Sequence, residues 1–142
     1  MFLCVFVSLW QRLSPLLKLT LLPDTLAICR LPRDAAIPGW ALASDFYSIT
    51  RTADELSLVC HQRDVPDDVQ RDGDWRCLKV HGPLAFSMVG VMASLATPLA
   101  DAGISIFVIS TFDTDYLLVK QAPLESALAA LTAAGHSIIR PV

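Results

Sequence analysis

The sequence predicts an α+β fold of the ferredoxin-like type, with two helices on one face of an antiparallel sheet. Three observations indicate it: an apolar fraction of 54% in 142 residues, short β-type runs between turns, and two helical runs in the second half. From Trp75 onward the predicted order is strand, helix, strand, strand, helix, strand. Two strand–helix–strand units in that order form a ferredoxin-like sheet.

The first half of the chain is predicted to be almost entirely β-structure. Leu16–Leu22 and Thr25–Leu31 are apolar runs separated by Pro23-Asp24, a residue pair typical of turns. Phe46–Arg51 and Glu55–Cys60 alternate in polarity and are separated by three residues, which is hairpin spacing. The polar stretch that follows, residues 61–74, is predicted to be the internal boundary.

The second half begins with a predicted strand, Trp75–His81, and a predicted helix, Ser87–Ala102. Apolar residues in the helix recur at the three- and four-residue spacing of one helix face: Met88, Val91, Met92, Leu95 and Leu99. Ser87 is the predicted N-cap, and Gly103 is the predicted residue beyond the C-terminus. Pro98 lies inside the span and should kink or locally break the helix.

Two further strands and a second helix complete the predicted pattern. Ile104–Phe112 and Tyr116–Lys120 are strands linked by the polar turn Asp113–Asp115. Leu124–Ala134 is the second helix, which a glycine ends before the closing strand His136–Arg140.

An internal repeat relates the two halves. Phe46–Cys60 aligns without a gap on Ile106–Lys120, and three apolar positions coincide: Ile49 with Ile109, Leu58 with Leu118, and Val59 with Val119. Both segments pass from an apolar strand through an acidic, hydroxyl-rich turn into a second apolar strand. The repeat predicts two related modules, a reduced one over residues 20–70 and a complete one over residues 71–142. Residues 1–19 are left as an N-terminal extension of unclear role.

Composition excludes several function classes. The net charge is −3 and no basic cluster occurs, so the chain lacks the patch that neutralises nucleic-acid phosphates. No stretch approaches the roughly 18–20 apolar residues that span a bilayer. The four cysteines form no C-x-x-C pair. Cys29, Cys60 and Cys77 lie in apolar or alternating runs, which predict buried free thiols in a reducing cytoplasm. The histidines show no metal-ligand spacing, so no metal or cofactor is expected.

Two polar segments form the candidate site. The turn Ser110–Asp115 combines hydroxyls and carboxylates, which can receive an ammonium group, although turns also use such residues only to satisfy their own backbone. The strand-to-helix passage Gly82–Gly90 opens a helix whose free N–H groups can hold a carboxylate. In a ferredoxin-like module both segments can converge at one end of the sheet. Their combined polarity is that of an amino-acid site.

The stretches Trp75–Gly90 and Ala102–Lys120 resemble the ACT-type amino-acid-binding family. They resemble most closely the small tandem-ACT proteins related to the CASTOR arginine sensors. The upstream hairpin Phe46–Cys60 resembles the matching part of a preceding, reduced ACT module.

The resemblance implies a regulatory ACT protein that holds an amino acid or a similar metabolite between ACT units. Position by position, it assigns helix-start contacts to Ser87, Met88 and Val89, and strand-turn contacts to Thr111, Phe112 and Asp115. A homodimer would complete such a site, because the CASTOR proteins are longer than this chain. Asp115 corresponds to the family's acidic ligand contact, and Phe112 corresponds to its apolar wall.

Two other functions remain open at this stage. The chain could be an interaction protein, with the same fold, apolar surfaces used for dimerisation and an empty site. It could also be a small enzyme with Asp113 or Asp115 as a general base, although the sequence places no second catalytic group nearby.

Overall fold

In the computed structural model, residues 15–82 and 90–141 are described. Their strands form one curled, mostly antiparallel sheet: β1 Lys18–Leu31, β2 Ser48–Arg51, β3 Leu56–His61, β4 Arg71–Val80, β5 Ile106–Ser110, β6 Asp115–Lys120 and β7 Ser137–Ile139. The two α-helices are α1 Val91–Asp101 and α2 Leu124–Ala133, and short 3-10 helices occupy Gly39–Leu42 and Gln62–Asp64.

The strand order is β2-β3-β1-β4-β6-β5, and β7 pairs with β1 in parallel. The predicted α+β, ferredoxin-like fold is therefore confirmed, with helices between β4 and β5 and between β6 and β7. One feature goes beyond the prediction. The first residues of β1 lie between β4 and β7, because Leu19 pairs with Val80 on one side and with Ile138 on the other.

The predicted turn at Pro23-Asp24 is wrong, because β1 continues through both residues. The pairing of β1 with β4 shifts register between Leu21 and Thr25, and the pairing with β3 begins only at Leu26. Pro23 therefore lies where neither β3 nor β4 pairs with β1, so no sheet hydrogen bond needs its missing N–H. Strands tolerate proline at such positions. Asp24 lies at this register shift, and its carboxylate is 3.5 Å from the Nε2 atom of His61 in β3.

Helix α1 begins at Val91, and Gly90 precedes it with a left-handed φ of +84°. The expected N-cap Ser87 lies outside the described residues. Pro98 does not break the helix, which runs without interruption from Val91 to Asp101. Gly103, with φ +74°, donates to Ala100 while Ile104 donates to Leu99, so the predicted glycine terminus is confirmed as a Schellman motif.

Helix α2 ends in the same way, with Gly135 at φ +100°. The Gly135 N–H donates to Thr132, and the His136 N–H donates to Leu131. This turn directs the chain back onto the sheet at β7. It also brings the His136 side chain under helix α1, where the ring is 4% exposed.

Side chains on the two faces of the sheet pack into separate apolar clusters. Leu78 and Val80 of β4 pack under both helices, in a cluster that includes Leu95 of α1 and Leu131 of α2. The intervening residues of β4 face the other way, in a cluster formed mainly by Leu26, Val59, Trp75, Cys77 and Leu118. A third cluster, around Ala27, Cys29, Leu58 and Cys60, forms the core of the first half. The cysteines of the described residues are buried and free, as predicted.

Candidate functional site

The β5–β6 turn is held by the side chain of Thr111. The backbone N–H of Thr111 donates to the Thr114 carbonyl at 2.8 Å, and the Thr111 hydroxyl donates to the same carbonyl at 3.0 Å. The hydroxyl also accepts from the Thr114 N–H at 3.3 Å. Thr111, one of the predicted site residues, therefore shapes the turn, and its exposed side chain remains at the surface.

Thr114 connects this turn to the end of β4. Its side chain is buried, and its hydroxyl donates to the carbonyl of Val80 at 2.7 Å. Val80 is the last residue of β4, two residues before the passage that leads into α1. The turn is thus fixed beside the start of that passage. Sequence reasoning selected Thr111 and missed Thr114, because the pattern of the turn does not reveal which hydroxyl points inward.

Asp115 and Phe112 lie on the outside of the same turn. The Asp115 carboxylate is half-buried and accepts a hydrogen bond from the Ser110 hydroxyl at 2.6 Å. Ser110 and Asp115 face each other as the last register pair of the β5–β6 hairpin. Among the described residues Asp115 forms no ion pair, so its negative charge is not compensated there. Phe112 is 80% exposed at the tip.

The other predicted contacts, Ser87, Met88 and Val89, lie outside the described residues. The structure therefore places Thr111, Phe112 and Asp115 on one turn, and Thr114 joins this turn to the last residue of β4. The helix-start half of the site remains a prediction.

Residues 15–82 and 90–141 were also searched for metal-binding clusters and for membrane-spanning helices. Within residues 15–82 and 90–141 there is no group of three or more His, Cys, Asp or Glu side chains arranged to hold a metal ion. No helix in these ranges is long and apolar enough to cross a membrane.

Protein-family models match both halves of the chain. A model of the ACT domain matches residues 70–133, and a second model, described as an N-terminal domain, matches residues 24–68. The bovine (Bos taurus) cytosolic arginine sensor for mTORC1 subunit 1 is 34% identical over 109 residues, or 70% of this chain. The chain spans about a third of that relative's length, the aligned part being 33% of it.

Solved structures share the fold of this chain. Protein Atu0741 from Agrobacterium tumefaciens superposes with a TM-score of 0.86 at 46% identity, over 91% of this chain and 96% of that one. The ligand-free regulatory subunit of aspartate kinase from Thermus thermophilus shares the fold, with a TM-score of 0.58 at 14% identity over 82% of this chain and 97% of that one. With an ACT-domain match over its second half and this fold over most of its length, the chain belongs to the ACT-domain family.

Proposed function

We propose that this chain is a regulatory protein that binds an amino acid or a similar small metabolite, and that it is not an enzyme. The site lies between the turn 111–115 and the passage into α1, including Ser87, Met88 and Val89. The observation that supports the proposal is the hydrogen bond from Thr114 to Val80, which fixes the turn to the last residue of β4. A regulatory ligand acts by binding one conformational or assembly state more tightly than another.

The chemistry of the turn suits an amino acid. The uncompensated carboxylate of Asp115 can accept an ammonium or guanidinium group, and the hydrogen bond from Ser110 holds it in place. The ring of Phe112 can cover the apolar part of a ligand. N–H groups at the start of a helix favour a carboxylate, so the two segments together match both charges of an amino acid.

The relatives support this class of ligand and suggest where the protein acts. The bovine relative is named a cytosolic arginine sensor, which makes arginine the first candidate and the cytoplasm the proposed location. Because the chain spans about a third of that relative, a second copy would supply the opposing ACT unit. We therefore propose a homodimer whose ligand sites are completed between subunits.

An interaction protein without a ligand is the competing function. Three exposed apolar side chains of the first half favour it, because such residues can form an interface between subunits: Ile37, Leu42 and Tyr47, each between 45% and 47% exposed. In that case the chain would dimerise through exposed apolar side chains such as these, and no amino acid would change its stability.

A thermal-shift screen of the twenty amino acids distinguishes the two functions. A ligand at about a hundred times its Kd adds roughly 2.7 kcal/mol of stability to the folded protein. We expect Asp115→Ala to abolish this shift without unfolding the protein. Asp101→Ala is the matched control, because it removes an exposed carboxylate at the far end of α1. A screen without any shift, together with a stable dimer, would favour the interaction protein.

A further inference from the structure

The imidazole ring of His136 joins three elements at the point where β1 begins. Its Nδ1 atom accepts the backbone N–H of Leu17 at 3.1 Å, and its Nε2 atom contacts the carbonyl of Ser94 in the first turn of α1. The Ser137 N–H donates to the Leu17 carbonyl at 2.9 Å, which starts the parallel pairing of β7 with β1. The ring therefore holds Leu17 to α1, and Leu17 in turn holds β7.

These contacts require a neutral ring. A neutral imidazole has one nitrogen with a hydrogen and one with a lone pair, whereas a protonated imidazole donates from both nitrogens. Since Nδ1 faces the N–H group of Leu17, Nδ1 must carry the lone pair. A proton added to Nδ1 would set two N–H groups against each other and would end the bond to Leu17.

No carboxylate in the described ranges forms an ion pair with this ring, which could otherwise compensate its positive charge. His136 is only 4% exposed, so a protonated ring would be a buried cation. Residues 1–14 and 83–89 contain no Asp or Glu, so these two segments supply no side-chain carboxylate either. A buried charge without a partner is costly, so proton uptake and this set of contacts exclude each other.

The other charged or titratable groups around the ring are in contact with solvent. They lie in or beside α1, α2 and β7, at the start of β1 and at the end of β4. All six are exposed: Lys18, Lys79, His81, Asp101, Glu125 and Arg140. Glu125 and Arg140 also pair with each other at 3.0 Å. Among the described residues, the buried group that can change its charge at this junction is therefore His136.

The segments that the ring holds have few other attachments. Strand β7 has three residues, two of them exposed, and within the described ranges it pairs with β1 alone. Leu16, next to Leu17, is 71% exposed. Short, exposed segments with few backbone bonds open at a lower free-energy cost than the core of a protein. Protonation should therefore release these segments while the rest of the sheet and the helices persist.

We propose that His136 is a proton-dependent latch, which holds Leu17 and β7 to α1 while its ring is neutral and releases them when Nδ1 takes up a proton. Imidazoles take up protons as the pH falls from about 8 to about 5. The release changes the end of the sheet from which the chain passes into α1, because the His81 N–H donates to the Lys18 carbonyl there. It requires no ligand, so it can be measured whether or not residues 111–115 bind one.

The test is NMR of the full chain without ligand, with nitrogen-15 in the backbone and in the histidine rings, from about pH 8 to about pH 5. The ring nitrogen shifts of His136 report its protonation. Hydrogen exchange of the Leu17 and Ser137 amides, corrected for the intrinsic effect of pH, reports the release. We expect the protection of both amides to fall about tenfold as the ring is protonated, which is the effect of losing one buried hydrogen bond. The amide of Leu58, a buried residue of β3, should keep its protection.

A variant then assigns the response to the ring. His136→Gln replaces the imidazole by an amide, which can donate and accept but does not titrate in this range. In this variant the protection of Leu17 should no longer depend on pH. His81→Gln is the matched control, because it removes an exposed histidine at the same end of the sheet. It should leave the pH response of Leu17 unchanged.

Three outcomes overturn the latch. One is that the His136 ring becomes protonated while Leu17 keeps its protection. Another is that the ring stays neutral until all amides lose protection together, Leu58 included, which is global acid unfolding. A third is that the response of Leu17 persists in His136→Gln or disappears in His81→Gln, which would assign it to another group. The first two outcomes need only the unaltered protein, so they decide the matter even if His136→Gln does not fold.

Discussion

His136 donates a hydrogen bond from its Nε2 atom to the carbonyl oxygen of Ser94, at 2.8 Å. In a regular helix that carbonyl would accept from residue 98, but Pro98 has no N–H. On its other side the ring accepts from the Leu17 N–H at 3.1 Å, which fixes the tautomer with hydrogen on Nε2. One buried side chain therefore joins α1, the start of the sheet and the segment after α2. It also replaces the helix hydrogen bond that Pro98 cannot donate.

We expect His136→Leu to destabilise the fold by about 2–4 kcal/mol. The substitution leaves the Ser94 carbonyl and the Leu17 N–H buried without partners, and each such group costs about 1–3 kcal/mol. The measurement is urea unfolding followed by circular dichroism. His81→Leu is the control, because His81 is exposed and, within the described ranges, its ring forms one hydrogen bond, with the Thr20 hydroxyl.

A double-mutant cycle tests the link between His136 and Pro98. Pro98→Ala restores an N–H that can donate to Ser94, so the cost of His136→Leu should fall by about 1 kcal/mol in that background. Equal costs in both backgrounds would show that the ring does not replace the missing helix bond.

Thr114→Val should destabilise the protein by about 1–2 kcal/mol, because the buried Val80 carbonyl loses its donor while the side-chain shape is conserved. It should also weaken binding of any ligand held by the turn, since the turn is no longer fixed to β4. Isothermal titration with the amino acid found by the screen measures this effect. Ser110→Ala is the control for stability, because its hydroxyl bonds to Asp115 at the surface.

Alkaline pH should destabilise the protein through Cys77. Burial raises the pKa of this thiol to about 12, from a usual value of 9.0. The folded-state pKa lies above the unfolded one, so the stabilising effect is complete below about pH 9 and is lost as the pH rises toward 12. Stability should fall by up to about 1.4 kcal/mol per pH unit in that range. Unfolding curves of Cys77→Ala should show a shallower slope; an unchanged slope would contradict the assignment.

The thiols of Cys29 and Cys60 should titrate as a pair. The hydrogen bond from Cys60, helped by the charge of Arg71, lowers the pKa of Cys29 below its usual value although burial opposes this. The same hydrogen bond and burial raise the pKa of Cys60. In a Cys4→Ser, Cys77→Ser background, thiolate absorbance should therefore rise first below pH 9. Adding Cys60→Ala should move that first step to higher pH, because Cys29 loses its donor; a step that stays in place would exclude this pairing.

Much of the fold follows from the sequence because periodicity reports which face of an element is buried. Helix α1 and the hairpin of β5 and β6 were predicted in this way, and glycine chemistry located the helix ends at Gly103 and Gly135. Pro23-Asp24 was misassigned as a turn, since a local pattern does not show that a strand lacks ladder partners there. The pairing of β1 with β3 and β4 depends on residues far away in the chain.

The candidate site was only partly accessible to the same reasoning. The turn containing Thr111, Phe112 and Asp115 was selected from its residue types, and the structure places all three on one hairpin. Thr114 was missed, because its role depends on the distant carbonyl of Val80.

The position of β1 between β4 and β7 has a consequence for how the chain folds. The first strand of the described sheet completes its pairing only with the last one, where Lys18 meets Ser137. During synthesis β1 must therefore wait until residues 137–139 have been made before its parallel partner exists. Such long-range pairing closes a large loop and slows folding. We expect the hairpin of β2 and β3 to form early and the joining of β1 with β7 to be the last and slowest step.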